Sequence, residues 1–156
     1  MQTHRFKLFA DYFQFFLQDE SADGNLSDCW SADAVQRLLA LAPGTIGVRT
    51  VRNMEVPVLV EVHLSEPKGD FAAWDHVTEC SIDLPSGRIV VSGCTDYFPD
   101  AARIEVAPGC YQVRLFYGAL DTVSEDGLKG NDHYKAALWP ASWSEVRVLK
   151  NWRMAK

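Results

Sequence analysis

The chain has 156 residues, 47% hydrophobic and 23% charged, which excludes a disordered or low-complexity protein and leaves enough apolar material for one domain with a real core. Fifteen Lys and Arg stand against 21 Asp and Glu, a formal net charge of -6 that repels phosphate backbones, so nucleic acid is not expected as a direct ligand. The most apolar cluster, MQTHRFKLFADYFQFFLQDE, is broken by Arg5, Lys7, Asp11 and Gln14, so it is neither an export leader nor a membrane span, and the sequence reads as soluble and cytoplasmic.

Residues 4 to 18 alternate in both registers, with Phe6, Leu8, Tyr12 and Phe16 on one side and Phe9, Phe13, Phe15 and Leu17 on the other. A strand covered on both faces, or one that bends between two sheets, has this pattern. A polar loop follows, carrying Asp19, Glu20, Asp23 and Asp28. Ser31 is placed to cap a helix, and Val35, Leu38, Leu39 and Ala42 recur at helical spacing. One short helix is therefore predicted over residues 31–42, stopped by Pro43-Gly44.

Thr45 to Arg52 reads as a strand. From Val56 to Gly93, three alternating segments, EVPVLVEVHL, WDHVTECSIDL and IVVSG, are separated by a polar loop and a Pro85-Ser86-Gly87-Arg88 turn, the pattern of a β-meander. Counting back from that turn sets Cys80 opposite Gly93 or Cys94. With Cys29 and Cys110, these cysteines form no C-x-x-C pair and are expected to be reduced, buried and small-hydrophobic in character. Thr95 to Asp100 is a loop that exposes Tyr97 and Phe98 beside Asp96. Pro108-Gly109 is a hairpin-type turn into Cys110 to Gly118, where Tyr111, Val113, Leu115 and Tyr117 share a face. The longest polar loop, Asp121 to Asp132, precedes a strand at Tyr134 to Trp139. Val146 to Leu149 reads as an edge strand, and Asn151 to Lys156 as a short basic tail.

Eight or nine strands and one short helix make an all-β fold, an antiparallel, jelly-roll-like β-sandwich, forming a single domain over residues 1–156 with at least one crossing between its sheets.

No reaction class is supported. His63 and His76, with Glu61 and Glu79, come close if Ser65 to Ala73 is a hairpin loop, but the spacing matches no known metal pattern, and no metal or cofactor is expected. No serine sits in a G-x-S-x-G elbow, and Gly127 to Gly130 lacks the length of a phosphate-binding loop. Trp30 and Trp139 read as core, and Trp74, Trp143 and Trp152 as core or partly covered. Acidic residues beside exposed aromatics suit a surface aimed at a basic protein, the rings anchoring and the charges steering.

The ordered segments ADYFQFFLQD, DCWSADAV, VRTVRNMEVPVLVEVHL, PGCYQVRLFYG and DHYKAALWPA together resemble the competence protein J family of bacteria. The resemblance covers residues 6–141, with extra length at Asp19 to Asn25. It implies a non-catalytic binding protein, an inhibitor or immunity-type protein for a basic nuclease or toxin. The expected partner surface is Asp19, Glu20, Asp23 and Asp28 together with Asp96, Tyr97, Phe98, Asp121, Glu125, Asp126 and Asp132, its carboxylates standing where nucleic-acid phosphates would sit. The rival reading is a small-molecule or carbohydrate-binding jelly roll with weak metal dependence at His63 and His76.

Overall fold

The doubly alternating N-terminal stretch is a strand that changes sheets. In the computed structural model, which describes residues 1–152, β1 (Gln2–Phe9) lies at the edge of one sheet and β2 (Gln14–Asp19) in the middle of another, joined by a 3-10 turn at Asp11–Phe13. Leu8 faces the inter-sheet core from β1, and Phe15 and Leu17 do so from β2. The parity of the buried positions switches at the turn, which is why both registers are apolar.

The remaining elements are α1 (Ala32–Arg37), β3 (Leu39–Ala42), β4 (Thr45–Arg49), β5 (Glu55–Val62), β6 (His76–Leu84), β7 (Arg88–Gly93), β8 (Ala102–Glu105), β9 (Gly109–Gly118), β10 (His133–Pro140) and β11 (Arg147–Lys150). They form a six-stranded sheet, β1-β5-β10-β9-β6-β11, packed on a five-stranded sheet, β3-β4-β2-β7-β8. The fold is the expected β-sandwich, and among the described pairings β5 with β10 is parallel. Among the described residues eleven strands replace eight or nine, because the first divides at its turn and the second half of the expected helix is β3.

Ser31 does cap α1, its side chain accepting from Ala34 N, but the helix ends at Leu38, which sits in the left-handed region at φ 65. Residues 39–42 (LALA) fit either period. Pairing with β4 decides for strand, and Pro43-Gly44 turns a hairpin. The meander is also corrected. β5 and β6 lie in one sheet with β10 and β9 between them, and β7 lies in the other sheet. Alternation reports that one face of a strand is buried; it does not say which strand is the neighbour. Cys80 accordingly pairs with Val113, away from Gly93 and Cys94, and is buried while Cys94 is exposed. Among the described residues all four cysteines are free, and burial pushes the Cys80 thiol up to about 12. Pro108-Gly109 carries the chain from β8 in one sheet to β9 in the other, so it is a crossing and not a hairpin turn.

The main core lies between the sheets. Phe15, Leu17, Ile46, Ile89, Leu115 and Leu138 are almost fully buried there, each contributing about 1.5–3 kcal/mol by leaving water. Tyr117 is buried among them and donates to Leu38 O at 2.7 Å, which ties the end of α1 to the six-stranded sheet. Both outer faces are partly covered. Leu26, Trp30 and Ala34, on the strap between β2 and β3, close over Phe16 and Ala40. On the other side Glu79 and Arg114, each almost fully buried, pair at 3.0 Å under Trp139 and Phe71, with Arg147 and Gln112 completing the Glu79 shell at 2.8 and 3.2 Å.

Candidate functional site

One end of the sandwich brings together exposed Tyr12 and Tyr97 with exposed Asp96, Asp121, Glu125 and Asp126. β1 and β7 finish there, β2 begins there, and β10 starts beside the end of β9. The 3-10 turn Asp11–Phe13 sits at its centre. Tyr12 and Phe13 both adopt left-handed backbone, at φ 58 and 60, a conformation costing a residue with a Cβ about 1–2 kcal/mol. The surroundings hold it in place. Phe13 N donates to Ala10 O at 3.0 Å, and Phe13 O accepts from Thr50 N at 2.9 Å. The Phe13 ring lies under the Arg49 guanidinium and against Gly127. Tyr12 is thereby pushed outward with 69% of its surface exposed. Backbone strain spent on displaying an aromatic ring is a mark of functional positions.

Two loops flank that turn. On one side Gly93 passes so close to the Phe9 carbonyl that a Cβ there would overlap it, and Asp96 folds back to accept from Gly93 N at 2.7 Å. Tyr97 projects from this loop, 70% exposed. Phe98 does not project, because its ring packs on the Arg103 guanidinium at 5.1 Å. On the other side, the loop between β9 and β10 is fixed by a bond within itself and one from the β4–β5 connection. Ser124 N donates to Lys129 O at 2.7 Å, and Asn53 N donates to Gly127 O at 2.7 Å. Asp126 accepts from Ser124 Oγ at 2.6 Å and Leu128 N at 3.0 Å, and these bonds hold its carboxyl below the usual range. Leu128 and Met54 add exposed apolar surface at this end, and Glu125 is exposed. The loops are ordered by their own contacts, which lowers the entropic cost of docking.

The expected partner surface is thus divided. Asp96, Tyr97, Asp121, Glu125 and Asp126 are exposed at this end, with Asp121 also accepting from Trp152 Nε1 at 3.2 Å. Asp132 is on the same loop but fully buried, paired with Arg52 at 2.8 Å and accepting from Tyr134 O–H at 2.6 Å. Burial and that carboxylate push the Tyr134 phenol far above its ordinary range. Asp19 and Glu20 lie at the opposite end and act as fasteners. Asp19, 1% exposed, accepts from Ser86 N and Oγ at 3.1 and 2.7 Å and from Ser21 N at 3.0 Å. Burial works against its charge, yet these bonds outweigh burial and leave the carboxyl below its usual range. Glu20 is paired with Arg88 and Arg103, and their hydrogen bonds lower its carboxyl as well. Asp23 and Asp28 are exposed on the strap over the five-stranded sheet. Asp11 and Tyr12 are the residues sequence reading missed. The double alternation signalled a bend, though not that its apex would be a displayed tyrosine.

His63 and His76 do not meet, since β10 and β9 separate their strands. His63 lies 3.1 Å from Glu61. His76 is buried, with Nε2 against Arg37 O at 2.8 Å and Nδ1 accepting from Trp152 N at 3.1 Å, and burial lowers its basicity. Among the described residues no group of three or more His, Cys, Asp or Glu is placed to hold a metal, and no helix is long and apolar enough to cross a membrane. Trp143, expected to be core or partly covered, is 60% exposed.

Fold and site together define a two-sheet β-sandwich with Tyr12, Tyr97, Asp96, Glu125 and Asp126 displayed at one end. The same fold is seen in ComJ of Bacillus subtilis, an inhibitor of the DNA-degrading activity of NucA, with a TM-score of 0.67 and 16% identity over 90% of this chain and 96% of that one. It is seen too in the protein of crocagin biosynthetic gene J, with a TM-score of 0.62 and 22% identity over 90% and 98%. No protein-family model and no curated protein sequence matches the chain.

Proposed function

We propose that this protein is a non-catalytic binder that inhibits a basic nuclease through the end built from Asp11–Phe13, the Asp96–Tyr97 loop and the Glu125–Asp126 loop. The observation that carries this reading is the displayed Tyr12, held in a left-handed turn between two internally braced acidic loops. Anchoring rings surrounded by carboxylates suit a partner whose own site is built to receive phosphate. The likeness to ComJ, itself a nuclease inhibitor, supports the same reading.

The test is inhibition of DNA degradation by NucA and by a nuclease encoded near this chain's own gene. Inhibition should weaken steeply with salt, mainly through slower association. Replacing Glu125 and Asp126 by lysine, or Tyr12 by alanine, should abolish it while Asp23→Lys does not. Equal inhibition by all four proteins sinks the reading.

A further inference from the structure

A second feature lies at the opposite end. A cleft of about 540 Å³ opens at the edge of the sandwich and is lined by Leu41 and Pro43 of the β3–β4 hairpin, Pro85 of the β6–β7 turn, Ser81 and Asp83 of β6, and Trp143. Trp143 sits on the non-strand segment between β10 and β11, so the most exposed tryptophan in the described chain lines this cleft. Its walls are sheet edges. β3 ends the five-stranded sheet. β11 pairs with β6 only over Val77–Glu79, and the segment before it touches β6 through Ser144, whose N and O bond Ser81 Oγ at 2.9 and 3.0 Å, leaving Ile82–Leu84 without a strand partner on that side. Unpaired edges beside an apolar trough are where an extended peptide docks.

Charge narrows the occupant. The carboxylates in the lining are Asp19, already saturated by Ser21 and Ser86, and Asp83, which is exposed. The lining holds no Lys, Arg or His, and among the described residues Asp83 has no cationic partner, its carboxylate being hydrogen-bonded by the Cys110 thiol across the strand pair. An apolar shelf, an indole face and an exposed carboxylate without a counter-charge together match a guanidinium on an aliphatic stem. The stem would lie on Leu41 and Pro43, the planar cation would stack on Trp143, and Asp83 would accept its hydrogen bonds. A lysine ammonium would satisfy the charge but not the stacking.

We propose that this cleft is a second binding site, which takes an arginine side chain presented by an extended segment of a partner protein. It lies at the end away from Tyr12 and stands whether or not that end binds a nuclease. The probe is a capped tripeptide, acetyl-Val-Arg-Val-amide, titrated into the full chain labelled with 15N. Expected are saturable shifts at the Trp143 indole N–H and the amides of Ser81 and Asp83. Affinity should fall about tenfold or more for the neutral citrulline peptide, for Asp83→Asn and for Trp143→Ala, and less for the lysine peptide. Both substituted side chains are exposed, so unchanged unfolding midpoints will separate lost binding from lost fold, and Asp126→Asn at the far end should bind as the parent does. The proposal is overturned if citrulline binds as well as arginine, if the shifts map elsewhere, or if no shift appears up to the solubility limit of the peptide.

Discussion

Asp126 and Asp19 are both loop aspartates with lowered carboxyls, yet they serve opposite ends of the molecule in different ways. Asp126 takes its hydrogen bonds from Ser124 and Leu128, two residues to either side, and its outer surface stays open. Asp19 takes two from Ser86, 67 positions away, and is buried between a strand end and a turn. Glu20 and Asp132 follow Asp19, with partners at Arg88, Arg103 and Arg52, whereas Asp96 follows Asp126. A carboxylate satisfied within its own loop shapes that loop and remains available to a partner. One satisfied by a distant element is part of the architecture.

The contrast breaks most visibly at the most deeply embedded acid. Glu79→Ala leaves buried Arg114 with only the exposed Glu66, at 3.1 Å, as counter-charge and should cost about 3 kcal/mol, read as a lower urea midpoint with unchanged slope. Burial opposes the Glu79 charge, but hydrogen bonds from Arg147 and Arg114 outweigh it and lower the carboxyl. Its stabilisation is therefore present above the ordinary glutamate range and lost as pH falls through the lowered value. Asp19→Ala should cost less, about 1–3 kcal/mol, because it strands the Ser21 and Ser86 backbone donors at a part-buried site. If both changes leave the midpoint alone, the distinction by partner distance fails.

His76 supplies a smaller, pH-dependent effect. Its folded form is held neutral, accepting from Trp152 N and donating to Arg37 O. With its basicity lowered by burial, the chain should be most stable above the ordinary histidine range, about pH 6.5, and lose stability as pH falls below it toward the lowered value. Urea midpoints taken between mildly acidic and neutral pH should show that slope, and His76→Gln should flatten it.

Tyr12→Gly sharpens the comparison from the functional side. Glycine accepts the left-handed backbone, so stability should hold or rise by up to about 1 kcal/mol, while nuclease inhibition is lost. A variant both more stable and less active identifies strain retained for binding. Asp126→Ala should leave the unfolding midpoint where it was and weaken inhibition alone.

Much of the framework is legible in the residues. Alternation at a period of two marks nearly every strand, Ser31 marks the helix start, and the doubled register of residues 4–18 marks the crossing between sheets, because burial of one face leaves a period in the sequence whatever the neighbours are. What the residues cannot carry is which strand lies beside which, since backbone hydrogen bonding is the same for every pair. Hence β5 and β6 looked adjacent, LALA looked helical, and the acids of residues 19–28 and 121–132 looked like one surface. Net charge and the acids themselves are written in the chain. Which of them remain free was decided only when distant arginines and serines arrived by folding, and the same packing turned Tyr12 outward, since strain at one residue is affordable only where the surrounding bonds are already made.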